Sequence, residues 1–280
     1  MRLSCLPVSF FAEIIDGRMP VAEWARIGQA LGLDAIDLSI LFVSPRTVDQ
    51  ARLLRRQIED TGSRVAMITT YPDFTHPDAA QRKKELNLAI EAVHIAEAVG
   101  AELIRVTAGQ AHPATGRAEG VAWAVDGLTR LVEAVRDAPV RPVYENHAKP
   151  GAWEYTDFST PPEIFLEIAH GTAPAGLGIN FDTGNAAAFA ADPLAMLDQV
   201  LERVVSVHVA DTAVFGELKP VPIGTGIAPI RAVFERLAAS GWDGWLCMEE
   251  ASFQGQAGID AAAQFVRLAW QRAGAAPAHR

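Results

Sequence analysis

Short runs of consecutive apolar, β-prone residues alternate along the chain with longer stretches whose apolar positions recur every three or four residues. The first kind reads as buried strand and the second as amphipathic helix. Residues 3–9 predict a first strand. In residues 20–31 Trp24, Ile27 and Leu31 share one helical face, and Gly32 closes the helix. Residues 34–39 predict the second strand, after which Ser44-Pro45 opens a helix running to Gly62. The pattern then repeats: strand 64–70 and helix 78–99 ended by Gly100, strand 103–107 and helix 119–137, strand 140–144 and helix 161–170. The last three units are strand 177–181 with helix 193–203, strand 204–209 with helix 228–240, and strand 244–248 with helix 259–273; a long loop, 211–226, lies inside the seventh unit.

Strict alternation implies a parallel sheet with crossover helices, hence an α/β protein. Eight units in about 250 residues are the expected size of a (β/α)8 TIM barrel. A doubly wound open sheet is the competitor. It wants a glycine-rich phosphate loop after the first strand, and Leu6-Pro7-Val8-Ser9 is not one. No Pro/Gly/Ser linker, charge block or low-complexity tract interrupts the pattern, so residues 1–280 are expected to form a single domain, with 274–280 a loose tail.

The chemistry is at the strand ends. Active sites of such barrels lie at the C-terminal ends of the strands. Here four consecutive strands end in Glu145, Asp182, His208 and Glu249. Singly, each has a bland reading: Asp182 as a helix cap, His208 as a core histidine. Together they put three carboxylates and an imidazole at one point. Like charges that close in a dry site would force protonation unless a divalent cation joins them. Oxygen-rich donors with one nitrogen suit Mn²⁺, Mg²⁺ or Co²⁺, and no cysteine is among the donors.

Alternation supplies further candidates. His147 points to the side of Glu145, and Asn180 lies one layer below Asp182. Asn185 and Asp211 follow three residues after Asp182 and His208, at the rim. His112 and Lys219 occupy long loops above the same face. These five, His147, Asn185, Asp211, His112 and Lys219, are the candidate substrate contacts. Arg105 is expected to pair with a carboxylate inside the barrel and Glu250 to face outward; Gly224-Thr225-Gly226 reads as turn punctuation, with an anion nest as the alternative.

Composition narrows the function. Half the 280 residues are hydrophobic, enough for a sizeable core, and the net charge of −10 argues against a nucleic-acid partner. The two cysteines, Cys5 and Cys247, lie in apolar runs and read as buried thiols. The N-terminal apolar stretch is broken by Pro7 and shows no cleavage pattern, and no run is long enough to span a bilayer. A soluble cytoplasmic protein is expected.

The segments Tyr144-Glu145-Asn146-His147, Asn180-Phe181-Asp182-Thr183-Gly184-Asn185, Val207-His208-Val209-Ala210-Asp211, Gly224-Thr225-Gly226 and Gly244 to Glu249 resemble the sugar phosphate isomerase/epimerase family of the xylose isomerase-like TIM barrel superfamily. The resemblance implies one divalent metal ion, Mn²⁺ in the first place with Mg²⁺, Co²⁺ or Zn²⁺ as alternatives, held by Glu145, Asp182, His208 and Glu249. It also implies that Glu145 and Glu249 move protons through an ene-diolate of a small sugar, keto-sugar or polyol derivative, in a homodimer or homotetramer. Ketose 3-epimerases of the superfamily carry a histidine where this chain has Asn185, and an arginine soon after the histidine ligand that is absent here. A dehydratase acting on an inosose-like or acid-sugar substrate is therefore the alternative. An apurinic-endonuclease-like nuclease and a non-catalytic sugar-binding protein rank behind it.

Overall fold

The computed structural model describes residues 1–149, 151 and 153–275. The strands are β1 (Arg2–Leu6), β2 (Ile36–Ser39), β3 (Val65–Thr69), β4 (Leu103–Val106), β5 (Arg141–Glu145), β6 (Gly178–Asp182), β7 (Val204–Val209), β8 (Thr212–Val214), β9 (Glu217–Pro220) and β10 (Trp245–Glu249). The α-helices are α1 (Phe11–Ile15), α2 (Val21–Ala30), α3 (Val48–Glu59), α4 (Ala79–Val99), α5 (Arg117–Ala134), α6 (Pro162–Gly171), α7 (Thr183–Phe189), α8 (Pro193–Asp198), α9 (Ile230–Ala239) and α10 (Gly255–Ala275). Eight strands form one parallel sheet in the order β1-β10-β7-β6-β5-β4-β3-β2, and consecutive helices pack side by side around it. This is the expected (β/α)8 TIM barrel.

The barrel is nearly closed. β1 and β2 share no ladder, but side chains sew the seam: Asp34 Oδ2 accepts from Leu3 N–H at 2.8 Å, Asp34 N–H donates to Leu3 O at 2.9 Å, and the Ser4 hydroxyl donates to Asp37 Oδ2 at 2.6 Å. Among the described residues no helix is long and apolar enough to cross a membrane.

Local chemistry sets the helix ends. Asp78 caps α4, accepting from Ala80 N–H at 2.8 Å, and Gly100 stops it in the left-handed conformation, φ 85°. Asp192 caps α8. Three expectations need correction. Thr47, not Ser44-Pro45, caps α3, because its hydroxyl reaches Gln50 N–H at 3.2 Å. The helix expected over 193–203 is α8 followed by a separate 3₁₀ turn, Leu201–Arg203. The loop expected over 211–226 contains the antiparallel hairpin β8–β9. Of the expected tail, Gly274 and Ala275 belong to α10, and 276–280 lie outside the described residues.

Alternation sorts the barrel interior into layers. At the bottom Trp245 is sandwiched by the Arg2 and Arg64 guanidiniums, 4.9 and 5.1 Å from its ring, and its indole N–H donates to Glu102 at 2.9 Å. Trp245 also belongs to a small apolar cluster with Met67, Leu103, Val143 and Cys247. The middle layer is partly polar: Ser206 donates to Asn180 Oδ1 at 2.7 Å, and Asp37 is fully buried with Oδ1 unpartnered. Such a layer carries hydrogen-bond donors up to the strand ends.

Burial pushes the Asp37 carboxyl up to about 7, against the opposing pull of the Ser4 hydroxyl. The folded state therefore holds this proton more tightly than the unfolded chain, so Asp37 lowers stability as pH rises from about 4 to about 7 and adds no further dependence above. Urea unfolding of metal-free protein across that window should show a steeper fall for wild type than for Asp37→Asn, the difference reaching on the order of 4 kcal/mol. Identical slopes would contradict the assignment.

Candidate metal centre and its cavity

Glu145, Asp182 and Glu249 end β5, β6 and β10, His208 is the last residue but one of β7, and all four point to one place. Each offers a donor atom lying within 4.8 Å of the others. His208 Nδ1 lies 2.5 Å from Glu145 Oε1 and 3.2 Å from Glu249 Oε2, yet neither imidazole nitrogen has a hydrogen-bond partner. A buried imidazole without partners and three carboxylates beside it fit a divalent cation.

The neighbours hold this set in place. Arg105 Nε forms an ion pair with Glu145 Oε2 at 2.8 Å, both residues buried, as the sequence led one to expect. Asn180 donates to Glu145 Oε1 at 3.1 Å. Asn146 grips the Asp182 backbone from both sides, accepting its N–H at 2.8 Å and donating to its carbonyl at 2.9 Å. Asp182 also caps α7 through Asn185 N–H at 2.6 Å, so one carboxylate meets both the bland and the functional reading.

Charge separates the three acids. Burial raises the Glu145 carboxyl, but Arg105 and His208 overcome it and bring it down to about 2. Burial likewise raises Glu249, and His208 beside it leaves it below its ordinary value. For Asp182 burial, then the charges of Glu145 and Glu249, win over the opposing pull of His208 and the Asn185 N–H and push it well above its ordinary value. Burial pulls His208 down, but the adjacent Glu145 and Glu249 carboxylates together outweigh it and hold His208 well above its ordinary value. Without a cation these directions favour the protonated forms of Asp182 and His208, and a cation would oppose both.

A cavity of about 680 Å³ opens above. Arg105, His147, Asp182, Asn185 and Glu249 line its floor and one wall; Phe11, Ile15, Leu41, Leu218 and Phe253 line the other. His147 Nδ1 lies 3.6 Å from Asp157 Oδ2, and Asp157 is itself pinned by Ser159 N–H and Oγ, both at 2.7 Å. Sequence reasoning missed Asp157: it lies in an aperiodic loop, and only the fold brings it behind His147. Asn185 Oδ1 is buried without a partner.

The remaining expected contacts are placed otherwise. Asp211 borders the cavity, but its carboxylate accepts four backbone N–H groups, from Thr212, Gly224, Gly226 and Ala228, at 2.9 to 3.0 Å. The anion of the Gly224-Thr225-Gly226 nest is thus the protein's own. Gly226 leaves no room for a Cβ, which would strike Thr212 O and the Asp211 carboxylate. His112 is held by Asp73 at 2.7 Å and does not line the cavity. Lys219 pairs with Glu217 at 3.0 Å on the solvent side of β9, because alternation turns Leu218 and Pro220 inward instead. Glu250, expected outward, is buried and accepts from Ser252 N–H at 2.8 Å and from the Ser9 hydroxyl, because α10 and the β1 loop cover that side of the strand.

The family model described as xylose isomerase-like TIM barrel matches residues 25–269. The chain belongs to that family. An inosose dehydratase of Geobacillus thermodenitrificans (strain NG80-2) is 28% identical over 142 residues, which are 45% of this chain and 45% of that protein; the chain thus spans less than half the length of this curated relative. A D-psicose 3-epimerase from Clostridium cellulolyticum H10, crystallised with D-tagatose, superposes with a TM-score of 0.78 at 12% identity, covering 96% of this chain and 99% of that one. The IOLI protein, described with a binding zinc atom, superposes with a TM-score of 0.74 at 14% identity, covering 98% of both chains. At such identities the likeness to the two structures is one of fold.

Removing the Asp211 carboxylate strands several buried amides at once. Asp211→Ala should lower stability by about 3 kcal/mol in urea unfolding. A loss below about 1 kcal/mol would show that the loop does not depend on this side chain.

Proposed function

We propose that the protein is a divalent-metal-dependent isomerase or epimerase of a small sugar, keto-sugar or polyol derivative. The observation that carries this reading is the convergence of Glu145, Asp182, His208 and Glu249 at one point, with Asp182 and Glu249 lining the cavity. These four residues would hold the cation. When bound, it supplies electrostatic stabilisation of the negative charge that develops on a substrate oxygen.

The chain's own groups do the rest. Glu249 lines the cavity and its side chain is 24% exposed, so it is the carboxylate placed to take a proton from the carbon beside the carbonyl. Loss of that proton leaves a flat ene-diolate. Glu145, buried and charge-paired, faces the same point; ionised at rest, it takes up a proton from solvent, to which Glu249 releases its own, and returns it to the intermediate. Delivery to the opposite face gives an epimer, and delivery to the neighbouring carbon gives an isomer. His147, with Asp157 behind its Nδ1, turns Nε2 to the substrate hydroxyls, and the unpartnered Asn185 Oδ1 offers them an acceptor.

The His147–Asp157 pair also favours a second reading. An imidazole fixed at the cavity wall can protonate a departing β-hydroxyl, and the same ene-diolate then loses water. That reaction is a dehydration, as in the name of the inosose dehydratase relative.

Glu145→Gln and Glu249→Gln should each abolish turnover while circular dichroism stays that of the wild type; retained activity in both would sink the proposal. A panel of keto-sugars and inososes followed by NMR in D₂O gives deuterium uptake for the first reading and a product lighter by one water for the second. Mn²⁺ at a hundredfold excess over its dissociation constant should stabilise the fold by about 2.7 kcal/mol. That gain should vanish in His208→Ala.

A further inference from the structure

We infer that the ligand is a substituted sugar: a polar ring over the four-residue centre, carrying an apolar alkyl or aryl group that lies against Phe253. The inference rests on reading the cavity floor as a carbohydrate site.

The cavity has two unlike sides. Most hydrogen-bonding groups lie on the floor and the His147 wall, while Phe11, Ile15, Leu41, Leu218, Val221 and Phe253 belong to the β1, β2, β9 and β10 segments; of the polar residues on that side, Ser9 is committed to Glu250 and Phe253 N–H, and Glu13 lies 3.9 Å from Arg18. A bare sugar carries hydroxyls all round. Turned toward this wall they would lose water and find no partner. A volume of about 680 Å³ leaves room for a group beyond one sugar ring.

Phe253 is the most telling residue. Its side chain is 72% exposed, and among the described residues it is the one non-glycine with positive φ, 57°. A bulky side chain does not adopt that conformation unaided. A buried acid holds it from beneath: Ser9 Oγ accepts Phe253 N–H at 2.8 Å, the Ser9 hydroxyl donates to Glu250 Oε2, and Glu250 Oε1 accepts Ser252 N–H at 2.8 Å. Glu250 is only 1% exposed, so a buried carboxylate is committed to aiming one phenyl ring at the mouth of the cavity.

Calorimetric titration of Mn²⁺-loaded protein with free hexoses, their methyl glycosides and their phenyl glycosides tests this. The phenyl glycosides should bind roughly tenfold tighter than the methyl glycosides. The preference should fall to about onefold in Phe253→Ala and survive in part in Phe253→Leu. Equal affinity for the two glycosides, a preference unchanged in Phe253→Ala, or binding of neither glycoside would overturn the inference. So would a dimer, seen by sedimentation, that Phe253→Ala dissociates, since Phe253 would then be covered by a second copy. A phenyl preference in protein that neither binds metal nor turns over sugars would defeat the functional proposal and leave this one standing. Turnover of free sugars without the preference would do the reverse.

Discussion

Three carboxylates and an imidazole converge within 4.8 Å at the mouth of the barrel, and the rest of the structure answers to that convergence. Two like charges about 4 Å apart repel by roughly 4 kcal/mol in a protein-like dielectric. Arg105, buried against Glu145, is, among the described residues, the one fixed positive group paired with the set. It neutralises one acid and leaves the others to a proton or a cation. The polar middle layer of the barrel follows from the same need. Asn180 and Ser206 replace apolar filling because the carboxylate above requires a donor below it. An all-apolar interior would strand Glu145.

A second set of acids serves the loops. Asp211, Asp73, Asp157 and Glu250 each gather amide or hydroxyl donors from their own or a neighbouring loop. A carboxylate accepts several hydrogen bonds at once, and its charge strengthens each. Single side chains thereby hold long irregular segments in one conformation around the cavity. Part of the acidic balance of the chain is spent on this work, which composition alone reads as a solvated surface.

The two kinds of acid are linked through the cavity. Asp157 stands behind His147, Asp211 fixes the loops beside β8 and β9 that carry Leu218, and Glu250 fixes the loop that carries Phe253. A ligand thus meets a polar floor set by strand ends and an apolar wall set by stapled loops. Under the proposed function the first would serve the proton chemistry and the second would distinguish one substrate from another.

The sequence by itself determined the alternation of strands and helices, and with it the barrel. Parallel strands are buried on both faces and so leave unmistakable apolar runs. It also determined the four strand-end residues, because a polar side chain closing such a run has few other uses. What it left open were the loops. Asp211 and Asn185 stand equally far past His208 and Asp182, yet one is bound to four amides and the other has an unpartnered oxygen beside the cavity. Alternation fixes direction only within a strand, so Glu250 and Lys219 could not be oriented until α10 and the β8–β9 hairpin were in place. Asp157 meets His147 only because the fold returns a loop across the barrel mouth. Strand-end chemistry is written in a local pattern, whereas loop chemistry depends on which distant amides the fold brings within reach of a carboxylate.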